Sequence, residues 1–500
     1  MAEKKEGESL AGLIGKNTEL SGKEKLSVVW RLSVPAILAQ ITSIIMQYID
    51  AAMVGGLGAS ASASIGVVST STWLLGGLCS ALSVGFSVQT AHRIGAGDER
   101  SARDVVKNAL MAAVVFSLAL MAAGVFISGH LPGWLGAEKA IWRDASGYFF
   151  IYAVSLPAVQ LNGLAGSMLQ CSGDMKTPGL LNACMCGEDV VFNMIFISRF
   201  GVTGAAIGTA LAQAVTAALM LWRLCFGSPA LRMRKGEPWK PEKQIFLRAL
   251  RIGLPIGFEN IALCGAQIAS TRIIAPLGSV AIAANSFAVT VESLCYMPGY
   301  GIGTAATTLV GQSMGAGNRK LAKNFANLSV LLGCAVMTAG GVLMFFLCPV
   351  IFSLLTPDPQ VSELGVHVLR IELFAEPLYA ASIVSSGALR GAGDSLVPSI
   401  LNLVSMWGVR LTISVILVGR IGLSGAWIAM AVELCVRGIL LFTRLQRGKW
   451  LGGDRGGRIV LQRIHWRGKF VKKITRQIFF NMLSLMAEKI RHLRLWHQGK

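Results

Sequence analysis

The feature that most constrains this chain is that its two halves carry the same landmarks, displaced by 220 residues. Gly95, Ala96, Gly97 and Ala102 recur as Gly315, Ala316, Gly317 and Ala322, and Gly173, Asp174, Pro178 and Asn182 recur as Gly393, Asp394, Pro398 and Asn402. Arg31 and Pro35 match Arg251 and Pro255, Gln47 matches Gln267, Leu57 and Gly58 match Leu277 and Gly278, and Pro157 matches Pro377, with no slip of register among these pairs. Such a chain folds as two copies of one unit.

Each copy is built from apolar runs of membrane length. Hydrophobic residues make up 53% of the chain and charged ones only 14%. A crossing needs roughly 20 apolar residues to cover a hydrocarbon core of about 30 Å. The runs divide into twelve spans near 32–54, 62–91, 105–128, 144–169, 178–198, 203–225, 247–274, 280–311, 325–352, 364–388, 396–418 and 422–443. They are continuous rather than alternating at period two, which selects helices over a barrel, and spanning helices satisfy their own backbone hydrogen bonds. The expected fold is therefore an all-α integral membrane protein of twelve transmembrane helices in two pseudo-symmetric six-helix bundles. The expected divisions are an N-terminal segment 1–25, a first lobe 26–226, a linker 227–245, a second lobe 246–446 and a basic tail 447–500.

A net charge of +20 raises the question of nucleic acid, and the placement of the charge answers it. With the N-terminus inside, 39 of the 46 Lys and Arg fall on the cytoplasmic side; the other seven are Lys139, Arg143, Arg199, Arg272, Arg370, Arg410 and Arg420. That asymmetry is the positive-inside pattern, not a nucleic-acid surface, and it puts both termini in the cytoplasm. Residues 1–25 are charged and lack an apolar core, so the first span is the expected uncleaved insertion signal. The ten cysteines show no metal-ligand spacing and are expected to be buried free thiols. The six histidines lie in loops, near span ends or in the tail, and no nucleophile, base and orienter set accompanies them, which argues against an enzyme.

Charged side chains inside spans cost roughly 2.5–3.5 kcal/mol each on the insertion scale, so each asks for a reason. On span 1, Gln40, Ser43, Gln47 and Asp50 are spaced three, four and three and share one face, expected to line a wet cavity. On span 5, Asp189 and Asn193 are four apart and share a face, whereas Glu188 is rotated by about 100° and points elsewhere. With Asp50 opposite, these oxygens make a small site for Na⁺ or for a proton shared among carboxyls; a plain interhelical hydrogen-bond pair is the alternative. The second half differs. Span 7 carries Glu259 and Gln267, span 8 Glu292, span 10 Glu372 and Glu376, and span 11 Arg410. By the offset, Ser270 stands at the place of Asp50, Val409 at that of Asp189, and Arg410 one residue further on. Arg410 needs an acid, with Glu372, Glu376 or Glu259 the candidates, and Glu259, Glu372 and Arg410 form a second candidate coupling set or a structural ion pair.

The segments GAGD (95–98) and GAGN (315–318) lack the Lys-Ser/Thr of a phosphate loop and are expected to be tight turns, as are SGDMKTP (172–178) and its partner around Gly393.

At these residues the chain resembles the multidrug and toxic compound extrusion (MATE) family of transporters. The resemblance runs over residues 26 to 445 and is carried by IDAAMVGGLG (49–58), GAGDERSA (95–102), SGDMKTP (172–178), FGVTGAAIGTAL (200–211), AIAANSF (281–287), ESLCYMPGYGIGTAATTLVGQSMGAGN (292–318), LRGAGDSLVP (389–398), WGVR (407–410) and IGLSGAWIA (421–429). It implies a monomeric, multi-pass protein of a bacterial inner membrane that exports small organic, often cationic, compounds in exchange for Na⁺ or H⁺, with no other cofactor. Two parallel bundles flanking a central site also suit a secondary transporter. The family's cation site implies roles for Asp50, Asp189, Asn193 and Thr209; on span 5 the family order is Asn before Asp, and here it is reversed. The rival reading is a lipid-linked saccharide flippase of similar two-lobe design, which would want a basic cavity where the first lobe offers carboxylates. The tail from Ile459 to Leu495 is expected to lie as a basic helix on the inner leaflet or to extend without structure.

Overall fold

The computed structural model describes residues 12, 20–234 and 236–452. The first lobe holds α1 (Gly22–Gly55), α2 (Ala59–Gly95), α3 (Glu99–Ser128), α4 (Trp142–Ser172) and one hydrogen-bonded helix Lys176–Trp222 that contains two crossings, α5 (176–200) and α6 (202–222). They separate at Gly201, whose φ of 58° and ψ of −132° only glycine adopts readily. The second lobe holds α7 (Lys243–Ile274), α8 (Ser279–Gly315), α9 (Arg319–Leu355), α10 in two pieces (Pro359–Leu373 and Glu376–Gly391), α11 (Leu396–Val404 continuing through a π-turn, Ser405–Leu411, into Thr412–Ile421) and α12 (Leu423–Gln446). Pro377 follows the break in α10 at once, removing the amide that would have carried the ladder across. Among the described residues, ten helices are long and apolar enough to cross a membrane. Splitting the one at Gly201 and joining the two pieces of α10 gives the twelve expected crossings. Most helices start and end outside the predicted spans, because apolar runs report the hydrocarbon layer and not the helix: 37 residues, as in α2, are about 55 Å long.

The repeated turns are as the sequence implies. Asp98 caps α3 by accepting from the Ser101 amide (3.0 Å), and Asn318 caps α9 from the Leu321 amide (3.0 Å); Gly97 and Gly317 both take φ of 74°.

The constant register does not hold throughout. FGVTG and IGLSG place their left-handed glycines at 201 and 422, an offset of 221, and Gly204 and Gly425 approach Phe196 and Leu417, also 221 apart. One residue has entered span 11, and the π-turn Ser405–Leu411 absorbs it, since an i→i+5 turn takes up an extra residue while keeping the flanking faces aligned. At the offset of 221 that holds beyond the turn, the counterpart of Asp189 is Arg410, which lies within the turn, and not Val409.

The lobes meet where α1 packs on α8, α7 on α2, and α2 on α8. At the end rich in Lys and Arg, where α2 and α8 finish, the seam is locked by a twofold-related pair of hydrogen bonds. His92 Nε2 donates to the Gly391 carbonyl and Gln312 Nε2 to the Cys171 carbonyl, both at 2.8 Å. There is no room for a side chain at Gly95, which lies on the Gln312 backbone, or at Gly315, which lies on that of His92. The linker is fastened to the first lobe: Glu237 accepts from Arg103 (2.9 Å) and Lys107 (2.8 Å), both cations being buried. The two hydrogen bonds hold the Glu237 carboxyl down at about 2.

All ten cysteines are free, but the expectation that they are buried fails. Cys79, Cys171, Cys295 and Cys348 are buried, whereas Cys184 is exposed on α5, because a thiol is apolar enough to stand on an outer helix face. The tail helix, expected from Ile459 to Leu495, and most of segment 1–25 lie outside the described residues.

Candidate functional site

In the first lobe α1 and α5 bring three polar side chains together. The Asn193 amide Nδ2 donates to Asp50 Oδ1 (2.8 Å) and to Asp189 Oδ2 (3.1 Å), so one side chain clamps two carboxyls. Asp189 and Asn193 are wholly buried, and Asp50 is half-buried. Among the described residues, Asp189 Oδ1 and Asn193 Oδ1 have no hydrogen-bond partner. The latter sits against α6 where any side chain at residue 208 would be, which requires Gly208. Two carboxyls so close need a shared proton or a small hard cation to hold both in place, and the unpartnered oxygens are the ligand type for either. The reversed order, Asp before Asn, thus still delivers both groups to Asp50.

The remaining first-lobe residues sit around this clamp. Thr209 makes no hydrogen bond to it among the described residues and lines an adjacent cavity of about 140 Å³ with Tyr148, Tyr152 and Gln213. Gln40 is half-buried, Ser43 Oγ bonds back to the Ala39 carbonyl (3.0 Å), and Gln47 is exposed, as is its counterpart Gln267.

In the second lobe no ion pair within 4.0 Å links Glu259, Glu372 and Arg410 among the described residues. Glu259 accepts from Arg390 Nη2 (2.9 and 3.0 Å), Ser399 Oγ (2.6 Å) and Asn402 Nδ2 (2.6 Å), a saturated carboxylate joining α7, α10 and α11. Arg390 ends α10, and its long side chain reaches inward to Glu259. Arg410 has no carboxylate within 4.0 Å among the described residues, its guanidinium lying 3.9 Å from Met406 Sδ, but Glu292 and Glu372 are near enough to feel its charge. Glu372 and Glu376 are wholly buried, and none of their four carboxyl oxygens has a hydrogen-bond partner among the described residues. Sequence reasoning missed the pair Glu433–Arg437 on α12 (3.1 Å), with Arg437 over the Tyr379 ring at 5.4 Å. The i,i+4 spacing of opposite charges in an apolar span was the available signal.

Comparison with known proteins agrees with this architecture. The MatE family model matches residues 35–195 and again 255–416, an offset of 220 at the start and 221 at the end, as the π-turn requires. The probable multidrug resistance protein NorM of Thermotoga maritima is 27% identical over 431 residues, spanning 84% of this chain and 92% of that protein. The probable multidrug resistance protein YpnP of Bacillus subtilis is 23% identical over 426 residues, spanning 84% and 94%. Among solved structures, an outward-facing multidrug resistance MATE family transporter of the MOP superfamily superposes with a TM-score of 0.81 at 22% identity, covering 88% of this chain and all of that one. A MOP superfamily transporter from Pyrococcus furiosus gives 0.81 at 21% identity, covering 87% and 99%. Matched in both halves by one family model, this chain belongs to the MatE family of multi-pass membrane transporters, proteins that carry solutes rather than transform them.

Proposed function

We propose that this transporter exports small organic compounds, often cationic, from the cytoplasm in exchange for Na⁺ or H⁺ taken up at Asp50, Asp189 and Asn193. The observation that carries this reading is the Asn193 clamp, with its two unpartnered buried oxygens beside the paired carboxyls. The names of the NorM and YpnP relatives as multidrug resistance proteins support the efflux side of it.

The chain offers a route from the ion to the lobes. Asp50 lies two residues beyond Tyr48, whose hydroxyl donates to the Thr290 carbonyl and meets Ser293 Oγ on α8. A shift of α1 that follows loss or gain of a charge at Asp50 is therefore felt across the seam. Exchange results if ion and substrate favour opposite lobe arrangements, since neither moves the equilibrium without differential affinity. The exposed glutamines Gln47 and Gln267 belong in an aqueous cleft between the lobes, because an amide facing lipid has no partner. The excess of Lys and Arg at the locked end supports a cytoplasmic position for that end and for both termini, with a bacterial inner membrane as the setting of this reading. The locked seam then corresponds to a protein closed to the inside.

The test is ethidium efflux from cells producing Asp50→Asn, Asp189→Asn or Asn193→Ala at matched membrane abundance. Loss of export in each is expected; undiminished export in the two aspartate variants refutes the site.

A further inference from the structure

A cavity of about 430 Å³ lies on the outside of the seam, away from the cation site. Its walls are Leu82 and Phe86 of α2, Met111 and Val115 of α3, and Phe246 and Leu250 of α7, so both lobes build it. Phe86 and Phe246 meet edge to face across the lobes at 6.0 Å. The volume falls within the roughly 300–1,000 Å³ of small-molecule sites. Pro241 of the linker also lines it, and hydrogen bonds fasten that linker to the first lobe. Asn108 Nδ2 donates to the Lys240 carbonyl (3.3 Å) and Asn108 Oδ1 accepts from the Glu242 amide (2.8 Å), and Glu237 is gripped by Arg103 and Lys107.

The side of the cavity lined by Pro241 is also where charge appears. On α7, Lys243, Phe246 and Leu250 are spaced three and four, so Lys243 heads the stripe that lines the cavity. Lys240 and Lys243 are exposed on either side of Pro241 and Glu242; Glu242 is the acid between them, and Arg248 adds a further exposed cation on the next turns. Trp239, 55% exposed, supplies the amphipathic ring that settles at headgroup depth. An apolar slot of this kind under two lysines and a tryptophan matches an anionic amphiphile.

We propose that this cavity binds one acyl chain of an anionic glycerophospholipid, with the phosphate resting on Lys240 and Lys243. Because its walls come from both lobes, the bound lipid wedges the seam and favours the lobe arrangement seen here.

Binding is measured without transport, so its outcome is independent of the proposed cation coupling. The full-length protein is titrated with phosphatidylglycerol and with phosphatidylcholine of the same acyl chains, and retained lipid is counted by native mass spectrometry. A lysine near the headgroup contributes about five-fold, so a preference of about 30-fold for phosphatidylglycerol is expected from the pair. It should fall to near parity in Lys240→Gln/Lys243→Gln, persist in the control Arg319→Gln/Lys323→Gln at the other basic turn, and vanish in Ala112→Trp, which fills the slot. The lysine variants alter exposed residues only and remain informative should Ala112→Trp fail to fold. Equal retention of the two lipids, a preference untouched by the double lysine substitution, or one untouched by a folded Ala112→Trp overturns the proposal.

Discussion

A methyl group at Gly85 should unlock the seam, and the size of the effect follows from the backbone. A Cβ built there stands 2.5 Å from the Ala249 carbonyl oxygen of α7, 0.9 Å short of the 3.4 Å at which ordinary contact begins. The opposing atom is backbone, so it cannot rotate away, and overpacking of this kind costs about 1–3 kcal/mol. Alanine also favours the helix over glycine by about 0.8–1.0 kcal/mol, but that gain is present however the lobes are arranged and cancels in the equilibrium between closed and open seams. Gly85→Ala should therefore raise the open population about five- to 150-fold, since 1.4 kcal/mol is a factor of ten. Cys171 is the reporter. Its carbonyl accepts from Gln312 and its buried thiol lies 3.9 Å from Thr308 Oγ1, both on α8, so a maleimide reaches it only when the seam parts. With the other cysteines replaced, the labelling rate in Gly85→Ala should rise by that factor over the parent. Gly66→Ala on the same helix, where a Cβ meets nothing within 4 Å, should leave it unchanged. A folded Gly85→Ala that labels no faster than the parent refutes the assignment of α2 and α7 to a packed, closing seam.

Three further outcomes are expected. The Glu237 carboxyl is held below the ordinary value of 4.5, at about 2, so its grip on the linker is complete above pH 4.5 and fades as pH falls toward 2; hydrogen exchange of the Glu242 amide, corrected for intrinsic rate, should lose protection across that window, and Glu237→Gln should abolish the change. Arg390→Met strands the Glu259 carboxylate in the second lobe and should lower stability by about 3–5 kcal/mol in thermal unfolding, with most of it regained in Glu259→Met/Arg390→Met. Gly201→Ala forces a side chain into a φ of 58° and should cost about 1–3 kcal/mol by the same assay, whereas unchanged unfolding would mean that the α5–α6 break does not depend on that conformation.

The crossings and the turns were legible because each has a local physical signature: apolar length for a span, and Gly followed by Asp or Asn for a capped turn. The Asp50, Asp189 and Asn193 set was legible from helical spacing together with the cost of charge in lipid. The extra residue of span 11 escaped because the landmarks used to set the register, such as Asn182 and Asn402, lie before it, inside a stretch of apolar residues where one more changes no pattern. The shift was nonetheless present in the glycines of FGVTG and IGLSG. Partnerships escaped for a different reason. Periodicity gives the face on which Glu259 stands but not which cation arrives from another helix, and Arg390 near a helix end looks the same whether it reaches into solvent or inward. Arg410 is the same problem reversed: a cation in a span demanded an acid, and among the described residues its guanidinium has nearby glutamates but none in contact.

The account rests on exchange of an ion at the Asn193 clamp, and proteoliposomes loaded with ethidium test that directly. Dye movement is followed under an imposed Na⁺ gradient, a proton gradient or neither, for the parent and for Asp189→Asn. The account predicts that one of the two gradients accelerates dye movement in the parent and that neither does in Asp189→Asn. Dye movement that proceeds equally fast without a gradient, or acceleration that survives in Asp189→Asn, would contradict it.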